Sequence, residues 1–340
     1  MLNIAHSTIN QTKVFMNRLL QISLFISTCM LLTACHSDRN HNSEDTVLIK
    51  KTITPIKKTA IRSYIFGHSL IKHDGEPRHA QDLTSVPYWM TLLANADSVD
   101  YGLSGKFGFL PSYIDGVSPQ WGFHSSKVDL IWNDGDGQNF SDVDFNQILF
   151  TPANFIQHQS PSKNYYNLYT SPIEATLKLI DWVYEREPSA VITIYENWPE
   201  MGEPFPPTSS TMAAYHKRTT GNFHRWYLNY HDDILEARPN SHVRMVPVGP
   251  IIAKLLTETE LSNIPYDALY EDAEPHGRPT LYFLAAMITY SASYGTQAPD
   301  NFSPDEPIHP LIKQHYKMIA DFIWQELITF TDKSGNSRIW

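Results

Sequence analysis

The sequence predicts a three-layer α/β domain, in which helices cover both faces of a mostly parallel, five-stranded sheet with flavodoxin-like strand order. From residue 61 onward, short apolar runs rich in β-branched residues alternate with longer segments of helical periodicity. This alternation is typical of parallel sheets with crossover helices. The chain has 340 residues, 42% of them hydrophobic, which is enough apolar material for a large core and excludes intrinsic disorder as its main state.

The first 34 residues are expected to be a lipoprotein signal peptide, removed before the domain folds. Lys13 and Arg18 precede an apolar stretch over residues 19–32, whose length suits an export signal better than a membrane span. The stretch ends in Leu32-Thr33-Ala34-Cys35, which resembles the bacterial lipobox. The resemblance implies cleavage before Cys35 and lipidation of its sulfur. The alternative is an ordinary signal peptide with a chance cysteine.

The mature chain is expected to have three parts. Residues 35–59 are polar and charged without a sustained hydrophobic period, so they are predicted to be a flexible tether between lipid and domain. Residues 60–328 carry the alternating pattern and form the predicted domain. Residues 329–340 are predicted to be a C-terminal tail.

Within the domain, strands and helices are predicted in alternation. A helix is expected after Ser171, because Ser171 and Glu174 fit a capping box and Pro172 suits the first helical position. Further helices are predicted within residues 211–236, 279–293 and 310–327, where apolar residues recur at helical spacing. The predicted strands cover residues 61–66, 98–101, 147–151, 190–195 and 243–248.

Composition limits the classes of partner. The chain has 26 basic and 36 acidic side chains and a formal net charge of −10, so a nucleic-acid partner is not expected. Its two cysteines cannot build a disulfide framework. The 15 histidines lack the paired spacing and the cysteine partners of a zinc site, and neither a metal nor another cofactor is expected.

Two distant segments carry a serine and a candidate base. The first predicted strand runs into Phe66-Gly67-His68-Ser69, which places a serine at the carboxyl end of the strand. Late in the chain, His276 is preceded by Asp272 and Glu274. A serine nucleophile needs an imidazole within hydrogen-bond reach, and that imidazole is oriented by a carboxylate or carbonyl. Parallel strands end at one edge of the sheet, so these segments can meet there.

Two further segments offer donors for an oxyanion. Gly105 comes after the second predicted strand, and Asn154 comes after the third. With the amide of Ser69, they would supply three donors to the negative oxygen of a tetrahedral intermediate. Asn197 also follows a strand and is an alternative to Asn154.

In order and spacing, these four segments resemble the sequence blocks of the SGNH, or GDSL-like, serine hydrolases. The resemblance implies the SGNH hydrolase fold, with Ser69 as nucleophile, Gly105 and Asn154 as oxyanion-hole donors and His276 as base. In that family the acid stands three residues before the histidine, whereas here that residue is Ala273. Asp272 is the preferred acid and Glu274 the alternative. The aspartate of the GDSL block is replaced by His68.

Together these features predict a lipid-anchored serine esterase of the cell envelope that needs no cofactor. Its expected substrate is an ester, such as an acetyl or acyl group on a carbohydrate. Trp198 is the candidate side chain for stacking on that substrate. The alternative, which the displaced acid motivates, is a weakly active or inactive surface lipoprotein that binds glycan or a protein partner. The inner or outer membrane and the oligomeric state remain open.

Overall fold

A computed structural model describes residues 52–74, 82–113, 123, 127–132, 137–152, 156–165, 169–304 and 307–340 of the chain. Its strands are β1 Ala60–Gly67, β2 Asp100–Phe107, β3 Asp129–Leu130, β4 Gln147–Phe150, β5 Val191–Tyr195 and β6 Val243–Val246. Its α-helices are α1 Val86–Ala96, α2 Leu110–Tyr113, α3 Pro172–Tyr184, α4 Ser209–Arg218, α5 His224–Ala237, α6 Val248–Glu258, α7 Pro279–Tyr294, α8 Pro310–Gln314 and α9 Tyr316–Ile328.

The strands form one sheet in the order β3-β2-β1-β4-β5-β6, and every pair is parallel. Without β3, this is the flavodoxin-like order that the alternating sequence pattern predicts, so the fold class is confirmed. The sheet has six strands rather than five. The additional strand, β3, has only two residues and lies at the edge, and so short a run carries no recognisable alternation.

Two apolar cores lie on opposite faces of the sheet and give the domain its three layers. Along β1, Ile61 and Ile65 belong to the core beneath α1, α6, α7 and α9, whereas Tyr64 and Phe66 belong to the core beneath α3 and α5. This division follows from the alternation of side chains along a strand. Because both faces are covered, the strands read as short continuous apolar runs.

Local signals explain where several helices begin and end. The capping box of α3 is confirmed, because the Ser171 hydroxyl accepts from the amide of Glu174 and the Glu174 carboxylate accepts from the amide of Ser171. The helix predicted within residues 211–236 is divided into α4 and α5 by a π-helical turn, in which Gly221 has non-helical backbone angles. The last predicted helix is likewise divided, at His315, into α8 and α9.

Both ends of the domain reach further than the sequence predicts. In the predicted tether, the amide of Ile53 donates to the carbonyl of Ile328, and Lys58 donates to Tyr294. In the predicted tail, the buried Arg338 makes an ion pair with Asp232 at 2.7 Å. Residues 52–59 and 329–340 are therefore parts of the folded unit, and the predicted boundaries at 60 and 328 are wrong.

The N-terminal predictions fall on residues that the structure does not describe. The signal peptide, Cys35 and the tether up to residue 51 lie outside the described residues. Among the helices of the described part of the chain, none is long and apolar enough to cross a bilayer.

Candidate active site

Ser69 lies just beyond the carboxyl end of β1, in a tight turn that follows Gly67. A Cβ added to Gly67 would lie 2.8 Å from Cγ1 of Ile71, so the close return of the chain requires a glycine. The amide of Ile71 donates to the carbonyl of His68 at 2.8 Å and closes the turn. The Tyr282 hydroxyl donates to the carbonyl of Ser69 at 2.5 Å. The position of the serine backbone is thus set by β1 and by α7.

The candidate base and acid are held by a short loop before α7. An antiparallel bridge joins Tyr270 and Gly277 at the base of this loop. Within it, one oxygen of Asp272 accepts from the amides of Glu274 and His276, both at 3.0 Å. The other oxygen lies 2.6 Å from Nδ1 of His276. A separation of four residues between acid and histidine is therefore geometrically sufficient, because Asp272 shapes the loop that returns His276 to it.

Ser69, His276 and Asp272 form a continuous hydrogen-bonded chain. Nε2 of His276 lies 2.9 Å from Oγ of Ser69, although 206 residues separate them along the chain (70–275). Burial alone would raise the pKa of Asp272, but hydrogen bonds from the His276 ring and from the amides of His276 and Glu274 lower it. The carboxylate is therefore ionised at neutral pH and accepts a hydrogen bond from the N–H at Nδ1 of the imidazole, which leaves Nε2 to accept a hydrogen bond from Ser69.

Gly105 does not reach this site, and its expected oxyanion-hole role is wrong. The strand β2 extends beyond the predicted end, so Gly105 lies inside the sheet in register with Ile65. The amides of Asp100 and Gly108 both donate to β1, at the carbonyls of Thr59 and Gly67. Along an extended strand, the amides of successive residues point to opposite sides. Gly105 is an odd number of residues from both Asp100 and Gly108, so its amide points away from β1. A Cβ at Gly105 would lie 2.5 Å from the carbonyl of Ile65, and close strand packing explains this glycine.

Asn154 lies outside the described residues, but the segment that leads to it is described up to Pro152, which contacts His68. The amide of Thr151 donates to the carbonyl of Phe66 at 3.1 Å, which continues the pairing of β4 with β1. The carbonyl of Pro152 lies 3.3 Å from Nε2 of His68. Burial lowers the pKa of His68 to about 4, so this histidine is uncharged at neutral pH.

Asn197 and Trp198 are both buried, which rules out their expected contacts with a substrate. The side chain of Asn197 accepts from the hydroxyls of Thr151 and Tyr227 and donates to the carbonyl of Trp198. Trp198 is 1% exposed, and its indole nitrogen donates to the carbonyl of Pro275 at 2.9 Å. Trp198 thus supports the loop that carries His276, and the prediction that it stacks on substrate is wrong.

Sequence reasoning did not identify His73, which stacks on His276. The two ring centroids are 3.8 Å apart, and the ring planes differ by 6°. His73 comes only four residues after Ser69, but a lone histidine in an irregular segment carries no pattern that would reveal a partner 203 residues later.

Comparisons with known proteins find likeness only among solved structures. No family model matches the chain, and no curated protein matches it. A DUF4886 family protein from Bacteroides uniformis is 14% identical, with a TM-score of 0.49, over 82% of this chain and 98% of that one. A candidate SGNH hydrolase from Slackia heliotrinireducens is 13% identical, with a TM-score of 0.39, over 68% and 98% of the two chains.

A third similar structure is a variant of an acetyl-xylooligosaccharide esterase from Geobacillus Stearmophilus. It is 12% identical to this chain, with a TM-score of 0.37, and the match covers 71% of this chain and 96% of that one. At such identities, an activity has to be argued from the residues of the chain itself.

Proposed function

We propose that the protein is a serine hydrolase that cleaves esters, with Ser69 as nucleophile, His276 as general base and acid, and Asp272 as the orienting carboxylate. The observation that carries the proposal is the pair of contacts at His276, 2.9 Å to the Ser69 hydroxyl and 2.6 Å to the Asp272 carboxylate. An imidazole in this arrangement accepts the serine proton and is stabilised when it becomes positively charged.

The reaction has two half-steps. Oγ of Ser69 attacks the ester carbonyl carbon while its proton moves to Nε2 of His276, and the resulting tetrahedral oxyanion collapses by breaking the bond to the leaving oxygen. That oxygen takes the proton from His276 and departs as an alcohol, which leaves an acyl group on Ser69. A water molecule then gives one proton to His276 and attacks the acyl carbon, which releases the carboxylic acid and returns the proton to Ser69.

Asn154 remains the proposed side-chain donor to the oxyanion. Its support is the placement of Pro152 beside His68, next to the turn that carries Ser69. Removal of one such donor typically lowers kcat at least about 100-fold. The kcat of an Asn154→Ala protein is therefore expected to be lower by about 100-fold or more. An unchanged kcat would contradict the assignment of Asn154 as an oxyanion donor.

A glycan ester is the proposed substrate class, and it is supported by a pocket at the segment that packs on the catalytic loop. The segment after β5 packs on this loop, because the amide of Met201 donates to the carbonyl of Ala273 at 2.9 Å. The same segment borders a pocket of about 380 Å³. Hydroxyl-rich ligands need such donors and acceptors. The polar residues of the lining are Gln157, His158, Glu200, Arg218 and Asn222.

The displaced acid motivated the alternative of a binding protein without turnover. Asp272 contacts His276 despite the displacement, so that motive no longer holds. Hydrolysis of p-nitrophenyl acetate tests activity, and Ser69→Ala is expected to abolish it while the exposed Ser162→Ala control retains it. Equal hydrolysis by the wild-type and Ser69→Ala proteins would contradict the proposal.

The substrate class is tested at the pocket. Asn222→Ala is expected to raise KM for acetylated oligosaccharides but not for p-nitrophenyl acetate.

Lipid anchoring at Cys35 in the cell envelope is part of the same proposal. It is supported by the sequence of the signal segment alone. Incorporation of labelled palmitate in a bacterial host tests it. Cys35→Ser is expected to abolish incorporation, and Cys29→Ser is the matched control that should retain it. Incorporation that persists in Cys35→Ser would contradict lipidation at this cysteine.

A further inference from the structure

The backbone of His73 is held independently of the loop that carries His276. Lys72 forms an antiparallel bridge with Ser85, the residue that caps α1. The amide of His73 donates to the carbonyl of Thr84 at 3.0 Å. Its imidazole then lies face to face with that of His276, with centroids 3.8 Å apart. The stack therefore joins the start of α1 to the catalytic loop.

The surroundings keep His73 uncharged at neutral pH. Burial and the neighbouring His276 lower the pKa of His73, while the carboxylates of Glu271, Asp272 and Asp74 oppose this shift without reversing it. The Glu271 carboxylate lies 3.9 Å from Nε2 of His73, and the Asp74 carboxylate is paired with Lys72 at 2.9 Å. A neutral ring stacks on His276 without placing a second positive charge beside the base.

The stack has most effect after Ser69 has been acylated. Before the reaction, hydrogen bonds at both nitrogens align the ring of His276. In the acyl-enzyme, Oγ of Ser69 carries the acyl group and has no proton to donate, so this bond is lost. The torsion that rotates an imidazole is broad, and the bond to Asp272 alone leaves the ring free to tilt. A flat, fixed neighbour at 3.8 Å removes that freedom.

Resting on the function proposed above, we propose that His73 is a positioning residue that holds the ring of His276 in place while it activates the water for deacylation. It touches neither the reacting atoms nor the substrate, and it acts through the stack alone. Its removal should therefore slow deacylation more than acylation.

The alternative to a stacking role is that these residues bind a metal ion. Ligand atoms of His73, Asp272 and His276 lie within 4.8 Å of one another. A metal binds an imidazole nitrogen along its lone pair, in the plane of the ring, at about 2.0–2.1 Å. The two ring planes are parallel within 6° and lie one above the other, so no single ion can lie in both planes. The geometry favours the stack.

Replacement of His73 by Phe and by Leu separates stacking from mere volume. Both side chains are apolar and of similar size, but only Phe presents a planar face. With p-nitrophenyl acetate, His73→Leu is expected to lower kcat about 10-fold, to lower KM with it, and to show a burst of p-nitrophenol equal to the enzyme concentration. His73→Phe is expected to restore kcat to within about 3-fold of wild type. His242→Ala, an exposed histidine at the opposite edge of the sheet, serves as the unaffected control.

Several outcomes would overturn the proposal. They are a kcat and a burst unchanged in His73→Leu, equal losses in the Leu and Phe variants, or a loss of wild-type activity on addition of EDTA. A failure of the proposed hydrolase function is distinguishable from a failure of the role of His73. In the former case, the wild-type and Ser69→Ala proteins would hydrolyse p-nitrophenyl acetate equally. Unfolding midpoints of all variants in urea distinguish a positioning effect from a loss of folded protein.

Discussion

At the residue scale, Asp272 shows how one side chain can have two tasks. One of its oxygens accepts the two loop amides, and the other faces Nδ1 of His276. The sequence predicted the contact of Ser69 with His276 through the order of its segments. It preferred Asp272 and kept Glu274 as the alternative, because the choice depends on how the loop closes at Tyr270 and Gly277.

Asp272→Asn tests the assignment of the acid. The amide oxygen of Asn can still accept from the loop, but its NH2 group would face Nδ1 of His276. This favours the tautomer with the proton on Nε2, which cannot accept a proton from Ser69. Hydrolysis of p-nitrophenyl acetate is expected to show kcat lowered about 1,000-fold or more, with little change in the unfolding midpoint.

Glu274→Gln is the matched control for this substitution. Glu274 is exposed, and only its backbone amide contacts Asp272, so kcat should stay within about 2-fold of wild type. If Glu274→Gln lost activity and Asp272→Asn retained it, the acid would be Glu274.

At the element scale, strand length decided which predicted residues reach the site. The predicted second strand ended at residue 101, whereas β2 continues to Phe107. Gly102, Ser104 and Gly105 favour a turn in the sequence, but pairing with β1 along the whole strand keeps them extended, and Gly102 also pairs with β3. Local propensity therefore placed Gly105 in a loop, and tertiary pairing placed it in the sheet.

The support of the catalytic loop by Trp198 is also a property of elements. Trp198→Phe removes the hydrogen bond to the carbonyl of Pro275 and leaves that buried carbonyl unpaired, at a cost of about 1–3 kcal/mol. Because Pro275 precedes His276, we expect kcat to fall about 5- to 10-fold with KM unchanged.

Trp226→Phe is the matched control, because its indole nitrogen donates to the carbonyl of Gln159 at 2.8 Å. It should lower the free energy of unfolding by a similar amount and leave kcat unchanged. Equal kcat values in the two variants, measured beside urea unfolding curves, would contradict a role for Trp198 in placing His276.

At the scale of the whole molecule, periodicity in the sequence predicted the parallel sheet and its order. The helices α1 and α6 were not predicted. In α6, eight of the eleven residues are buried, so it lacks the polar face that reveals a helix. The contribution of residues 329–340 was also missed, because it depends on long-range contacts, such as the ion pair of Arg338 with Asp232 and the hydrogen bond from the Trp340 indole to the carbonyl of Ala292.

Three buried histidines make the fold sensitive to acid. Burial lowers the pKa values of His68, His216 and His231 to about 4, below the ordinary value of 6.5. The unfolded chain therefore binds more protons between pH 6.5 and pH 4, and the free energy of unfolding falls as the pH falls through this window. Each histidine contributes as much as about 1.4 kcal/mol per pH unit.

Urea unfolding at pH 7.5, 6.5, 5.5 and 5.0 measures this dependence. His216→Leu, which removes one of the three groups, is expected to show a shallower decrease below pH 6.5 than the wild-type protein. His242→Ala, whose side chain is exposed, should follow the wild-type curve. A free energy of unfolding independent of pH across this range would contradict the account.

Mapping of a fluorophosphonate adduct by mass spectrometry on the full-length protein shows whether Ser69 is an activated nucleophile. We expect a single adduct on the peptide that contains Ser69, absent in Ser69→Ala and formed at least about 100-fold more slowly in His276→Ala. An adduct at another residue, or labelling of Ser69 at the same rate without His276, would contradict it.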